Sequence, residues 1–112
     1  MELKQWDKMN NYIFIVTVPN LEEGKKIAKV LVESKIAACV NIIQNIISIY
    51  RWKGAIEEDN EHLLLIKTNE RNSERVMDKI NEIHSYDTPE CIGFKIEKGS
   101  EKYLKWINEV VN

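Results

Sequence analysis

The side chains in this 112-residue chain that could take part in metal chemistry are Cys39, His62, His84 and Cys91. Thiolate and imidazole hold zinc and copper, but no CxxC, HxH or HExxH spacing occurs, so no local metal template is met. Both cysteines sit in apolar, strand-like runs, where a free cysteine packs as a small hydrophobe. His84 falls at an expected helix C-terminus, where positive charge complements the dipole, and His62 is expected to be an exposed strand residue. Glu57, Glu58, Asp59 and Glu61 form a carboxylate cluster beside a turn, which reads as solvated surface. The four glycines are scattered, with no phosphate-cradling loop and no nucleophile elbow, so nothing points to catalysis. Tyr50, Trp52, Lys67, Tyr86 and Glu90 remain. They bring aromatic, cationic and anionic groups to strand ends and a loop, as ligand clefts do; cross-strand packing of aromatics is the competing explanation.

Something must position these groups. Residues 12–18 (YIFIVTV) are β-branched and aromatic throughout and stop at Pro19, which predicts a central strand. Asn20 and Glu23 have the spacing of a capping box, opening a helix with Leu21, Ile27, Val30 and Leu31 on one face. A long hairpin follows, out from about Ala38 to Trp52, turning at Lys53-Gly54 and returning from Ala55 to Thr68. Arms of about 13 to 15 residues, at about 3.3 Å each, exceed ~40 Å. A chain of this length has a radius of gyration of only about 13 Å. The hairpin must therefore bend, carry a bulge or project, and the polar run Glu57 to Glu61 is the expected place for a bulge or exposed patch. Ile42, Ile43, Ile46, Ile47 and Ile49 put apolar groups on both faces of the first arm, an aggregation hazard unless another subunit covers it. A second helix carries Val76, Ile80 and Ile83, a short strand spans Cys91 to Ile96, and a last helix aligns Tyr103, Leu104, Ile107, Val110 and Val111. The order is β-α-β-β-α-β-α. It predicts an α+β, ferredoxin-like sandwich with helices on one face of an antiparallel four-stranded sheet, and an extended hairpin between its second and third strands.

The chain suffices for one domain, expected over residues 11–112, with residues 1–10 as a disordered extension in which Trp6 is exposed and Met9 offers an alternative start. A net charge of −2 supplies no basic field, which argues against nucleic acid. No apolar run is long enough to span a bilayer. Two cysteines without a disulfide framework fit a cytoplasmic setting.

The blocks AACVNII (37–43), SIYRWKG (48–54), IEED (56–59) and LLIKT (64–68), with YIFIVTVPN before them and HSYDTPECI and GSEKYLKWI after, resemble the CutA family of divalent-cation tolerance proteins. The resemblance runs over nearly the whole chain from about Asn11. It implies a PII-like homotrimer held by the long hairpin strands, and a non-enzymatic role in divalent-metal tolerance, with copper or another divalent transition metal bound. By position it makes Cys39 and His84 the metal ligands, with Asp87, Glu90 and Cys91 weaker candidates, and Tyr50, Trp52, Lys67, Tyr86 and Glu90 the lining of a ligand cleft. Ser85, Asp87 and Cys91 depart from the family's HPYE-PEI element; Asp87 shortens a glutamate by one methylene. The alternatives are a PII-like sensor of a small anionic ligand, using Lys67, Trp52 and Tyr86, and a trimeric scaffold for a protein partner.

Overall fold

The structure is a computed structural model that describes residues 10–112. The expected N-terminal extension, with Trp6 and Met9, therefore lies outside the described residues apart from Asn10. Strand β1 (Asn11–Val18) leads through helix α1 (Leu21–Glu33) to β2 (Cys39–Trp52) and β3 (Ala55–Asn69). A 3-10 turn (Glu70–Asn72) opens helix α2 (Ser73–Ile83), followed by β4 (Cys91–Lys95) and helix α3 (Glu101–Val110). The sheet is antiparallel in the order β2-β3-β1-β4, so β1 is central as its composition predicts.

Strand side chains alternate between faces. Phe14, Val16 and Val18 of β1 and Leu64 and Ile66 of β3 meet Ile27 and Leu31 of α1 and Val76 and Ile80 of α2 in the main core. Each such side chain contributes about 1.5–3 kcal/mol on leaving water. Gly93 lets β4 lie close beneath this layer, since a Cβ there would stand 2.6 Å from the Phe14 ring. Helix α3 does not join the other two helices. Its Asn108 bonds Asn11 and Asn69, and Lys67 lies over its Tyr103 ring, all from the opposite face of β1 and β3. A second small core of Ala38, Leu104, Ile107 and Val111 lies beneath it. The rest of that face stays open and apolar, with Ile43, Ile92 and Phe94 exposed.

The hairpin both bulges and projects. Its bulge lies in the first arm, not at Glu57–Glu61: Ile43 pairs with Leu63 and Ile46 with Glu61, so Gln44 and Asn45 together oppose His62. Asn45 takes φ 60°, a left-handed conformation that asparagine tolerates, and its N–H donates to His62 Nδ1 at 3.1 Å. His62 is accordingly half-buried and employed, not free on the surface. Among the described residues no third strand joins β2 and β3 beyond the bulge, and these residues extend over 52 Å along their longest axis. Lys53 and Gly54, both at positive φ, form the tip as expected. The bulge also changes which β2 residues share a face. Cys39, Asn41 and Ile43 precede it on the open face of the sheet, and Ile46, Ser48, Tyr50 and Trp52 continue that face after it. Ile47 and Ile49 turn to the other side together with Ile56.

Candidate functional site

Glu61 is the centre of a polar cluster at the root of the ribbon. It belongs to the run that reads as solvated surface, yet it is only 6% exposed. Its burial comes from the segment after α2, where Tyr86 folds back and donates its hydroxyl to Glu61 Oε2 at 2.8 Å.

A chain of short contacts holds Tyr86 there. Its N–H donates to His84 Nδ1 at 3.0 Å, and the two rings lie 4.8 Å apart. His84 Nε2 stands 2.7 Å from the Thr17 carbonyl, which can only accept, while Nδ1 faces an N–H that can only donate. These partners assign the neutral tautomer with its proton on Nε2. Glu23 completes the brace. Asn20 accepts from the Glu23 N–H at 2.8 Å, but the Glu23 carboxylate turns from the expected reciprocal cap to accept from the Ser85 N–H at 3.1 Å. One half of the capping box thus serves the loop instead of its own helix.

Between this loop and the projecting ribbon opens a cleft of about 620 Å³, lined by Thr17, Ser48 and Thr88, by Tyr50, Trp52 and Tyr86, and by Asp59, Glu61, Asp87 and Glu90, with Ile49 at its edge. Tyr50 donates its hydroxyl to Asp59. That hydrogen bond is the main reason the exposed Tyr50 phenol is pushed up to about 12. Burial, and then the bond to Glu61, raise the Tyr86 phenol further still. Both tyrosines therefore stay neutral at physiological pH, with their protons committed to carboxylates.

Of the residues expected in a cleft, Tyr50, Trp52, Tyr86 and Glu90 come together here, and Asp87 joins them. Lys67 does not. It lies at the other end of the sheet, bonded to Asn41 and 5.9 Å from the Tyr103 ring centroid, with Cys39 as its cross-strand partner. Burial and the neighbouring Cys39 raise the Tyr103 phenol. Cys39 and His84 are likewise apart. Cys39 stands in the row of Lys67 and Ile13, whereas His84 holds the carbonyl of Thr17, four residues along β1 and roughly 13 Å away. Cys91 packs against the main core, and burial pushes its thiol up to about 11. Among the described residues no group of three or more His, Cys, Asp or Glu side chains is placed to hold a metal ion. Asp59, Glu61 and Thr17 are lining residues that sequence reasoning missed. The alternation of Tyr50 with its cross-strand neighbours was the available signal, hidden by the bulge.

The class of protein is thus defined: an α+β, ferredoxin-like domain with an overlong hairpin and an acidic, aromatic cleft at its root. A profile of the family described as CutA1 divalent ion tolerance protein matches residues 12–110, and the chain belongs to that family. It is 47% identical over 95 residues to the chloroplastic protein CutA of Arabidopsis thaliana, covering 85% of this chain and 52% of that protein. The chain therefore spans about half the length of that plant relative. Its fold is similar to the divalent cation tolerance protein of Thermus thermophilus, with TM-score 0.89 and 39% identity over 91% of this chain and 99% of that one. The periplasmic divalent cation tolerance protein CutA of Archaeoglobus fulgidus matches with TM-score 0.88 and 40% identity, again over 91% and 99%. The Thermus and Archaeoglobus proteins are named for tolerance and not for an enzymatic reaction.

Proposed function

We propose that this chain acts as a non-enzymatic homotrimer in divalent-metal tolerance, with copper as the metal it binds. Family membership across residues 12–110 carries this reading. The trimer is supported by surface that one chain leaves open. A two-stranded ribbon is marginal in water by itself, and this one exposes Ile47 and Ile49 at 66% and Ile56 at 62% on one side. The open sheet face adds Ile43, Ile92 and Phe94. Apolar patches of that kind are where association occurs.

For the metal, the half-buried thiol of Cys39 is the soft donor within reach, and thiolate suits Cu(I). His84 would first have to release Thr17 or Tyr86. Asp87 and Glu90 add carboxylate donors at the cleft, while Cys91 is turned into the core. Two free thiols suit a reducing compartment such as the cytoplasm, although the A. fulgidus relative is described as periplasmic. An anionic ligand in the cleft is disfavoured, because its lining holds four carboxylates and no Lys, Arg or His.

Copper titration of metal-free protein under controlled redox conditions, with sedimentation in parallel, tests the proposal. The expected result is a trimer with saturable copper binding that Cys39→Ser abolishes. His84→Ala should keep copper and lose stability, since it strands the Thr17 carbonyl and the Tyr86 N–H. Copper binding indifferent to Cys39→Ser removes that ligand, and a stable monomer removes the assembly.

A further inference from the structure

We infer that α3 is a strap over the Cys39 corner that opens as a unit ahead of the main core, and that a chain of side-chain amides at the end of the sheet is its latch. The chain starts on α2 and passes through β3, α3 and β1. Arg75 donates to Asn72 at 3.2 Å, Asn72 to Asn69 at 2.8 Å and Asn69 to Asn108 at 3.2 Å. Asn108 donates in turn to Asn11 at 2.9 Å, and Asn11 to the Leu104 carbonyl at 3.2 Å. Each amide orients the next, so the links hold or fail together. Asn11, Asn69 and Asn72 are buried, whereas Asn108, the link that α3 itself carries, is half-buried. A second clasp follows the helix: Asn112 donates its N–H to the Lys35 carbonyl at 2.9 Å and its amide to the Ser34 carbonyl at 3.1 Å.

The apolar attachment of α3 is small by comparison. Leu104, Ile107 and Val111 meet only Ala38 and Ile96, in a cluster separate from the main core that α1 and α2 share with the sheet. Hydrogen bonds released to water cost little net, because water replaces the partner, whereas exposed apolar side chains find no such replacement. A helix held chiefly by amides is therefore the element that lifts first. It also lacks support of its own. Ser100 makes no side-chain cap, no basic residue stands in the last turn, and ten residues are marginal as an isolated helix. Leaving the sheet and unwinding are thus one event. What lies beneath gives the opening a consequence. Cys39 follows Ala38 of the small core and stands beside Tyr103 of α3, and its cross-strand partner Lys67 lies against the same ring. While α3 is down the thiol is half-buried; once α3 lifts, its helix-facing side is bare.

The strap bears on copper only through the reading of Cys39 as its donor, and its test uses no metal, so the two fail separately. Hydrogen exchange of the full chain in its native assembly, with iodoacetamide alkylation of Cys39 and Cys91 in the same sample, tests it. Amides of α3 should exchange faster than those of β1, and Cys39 should be alkylated more slowly than a free thiol, in step with α3. Asn108→Ala removes the central link and should speed α3 exchange and Cys39 alkylation about tenfold, while β1 amides and Cys91 keep their rates. Asn112→Ala, at an exposed position that folding tolerates, removes one clasp and should speed both about threefold. If Asn108→Ala fails to fold, Asn112→Ala still decides. Asn60→Ala, on the ribbon outside the chain of amides, should change neither. Exchange of α3 only together with β1, as when a neighbouring subunit holds the helix down, overturns the inference. So does alkylation of Cys39 at the free-thiol rate, or at a rate indifferent to both substitutions.

Discussion

At its base the β2–β3 hairpin lies beside β1 and beneath α1, with Val40 and Ile42 packed on the main core. Beyond Ile46 and Glu61 the same two strands continue as a ribbon that no third strand of the described residues joins, showing three isoleucines on one side and the cleft on the other. The first arm stays isoleucine-rich throughout, whereas the returning arm changes from LLLIKT at the base to AIEEDN at the tip, so composition marks the difference in one arm only. What changes for both arms is supply: the base finds its apolar partners within the chain, whereas among the described residues the tip is tied to the body by the hydrogen bond from Tyr86 to Glu61. Stability at the base should be a property of one chain, and stability at the tip a property of the assembly.

Ile47→Asp puts the largest strain on that contrast. In a protein whose tip is solvated, an exposed substitution of this kind stays within about 0.5 kcal/mol. If neighbouring subunits cover the ribbon, a buried unpaired charge should cost about 3 kcal/mol or more. Sedimentation should then show separated subunits, and the melting temperature should fall and become dependent on protein concentration. An unchanged trimer with an unchanged melting temperature would break the comparison.

A smaller effect is expected from the tether. Tyr86→Phe removes the hydroxyl that reaches Glu61 and should cost about 1.5 kcal/mol, the low end for a bond to a charged group at a half-buried site. Because the folded state raises the Tyr86 phenol above its unfolded value of about 10, the stabilisation is complete below that value. It is lost as pH rises through the higher folded one. Thermal melts across the alkaline range should therefore show the wild-type advantage over Tyr86→Phe shrinking above about pH 10. An advantage that grows with pH would contradict the bond's direction.

The smallest expected effect lies at the joint between the two stretches. Asn45→Ala forces a Cβ-bearing residue without a polar side chain into φ 60° and should cost about 1 kcal/mol, whereas Asn45→Gly should be spared. Chemical denaturation distinguishes them. Equal losses in both variants would show that the asparagine side chain, not backbone conformation, holds the bulge.

The glycine turn, the Asn20 cap, the helical apolar stripes and the need for an exit from a hairpin of about 40 Å are all legible in residue order, because each depends on neighbours a few positions away. The family resemblance carried by AACVNII, SIYRWKG and LLIKT is equally local text, and the profile match bears it out. The acidic run was expected to mark a bulge or an exposed patch in the returning arm; residues 57–60 are indeed exposed, but the bulge lies in the first arm. A polar run marks where a strand tolerates irregularity, but the position of the extra residue follows from pairing register, which the β1–β3 alignment and its core settle at long range. Glu61 shows the same limit. In sequence it is the last acid of an acidic run, and only the return of Tyr86, braced by His84 on Thr17, takes it out of water.

Residue order by itself determined the elements, their succession, the excess length of the hairpin and the family. Tertiary structure alone decided that Lys67 and Cys39 belong to one end of the sheet and Glu61, Tyr50 and Tyr86 to the other. It also placed α3 on the face opposite its fellow helices. The reason is physical: periodicity reports which side of an element is apolar, while the meeting of two polar groups depends on register and on which segment folds over them.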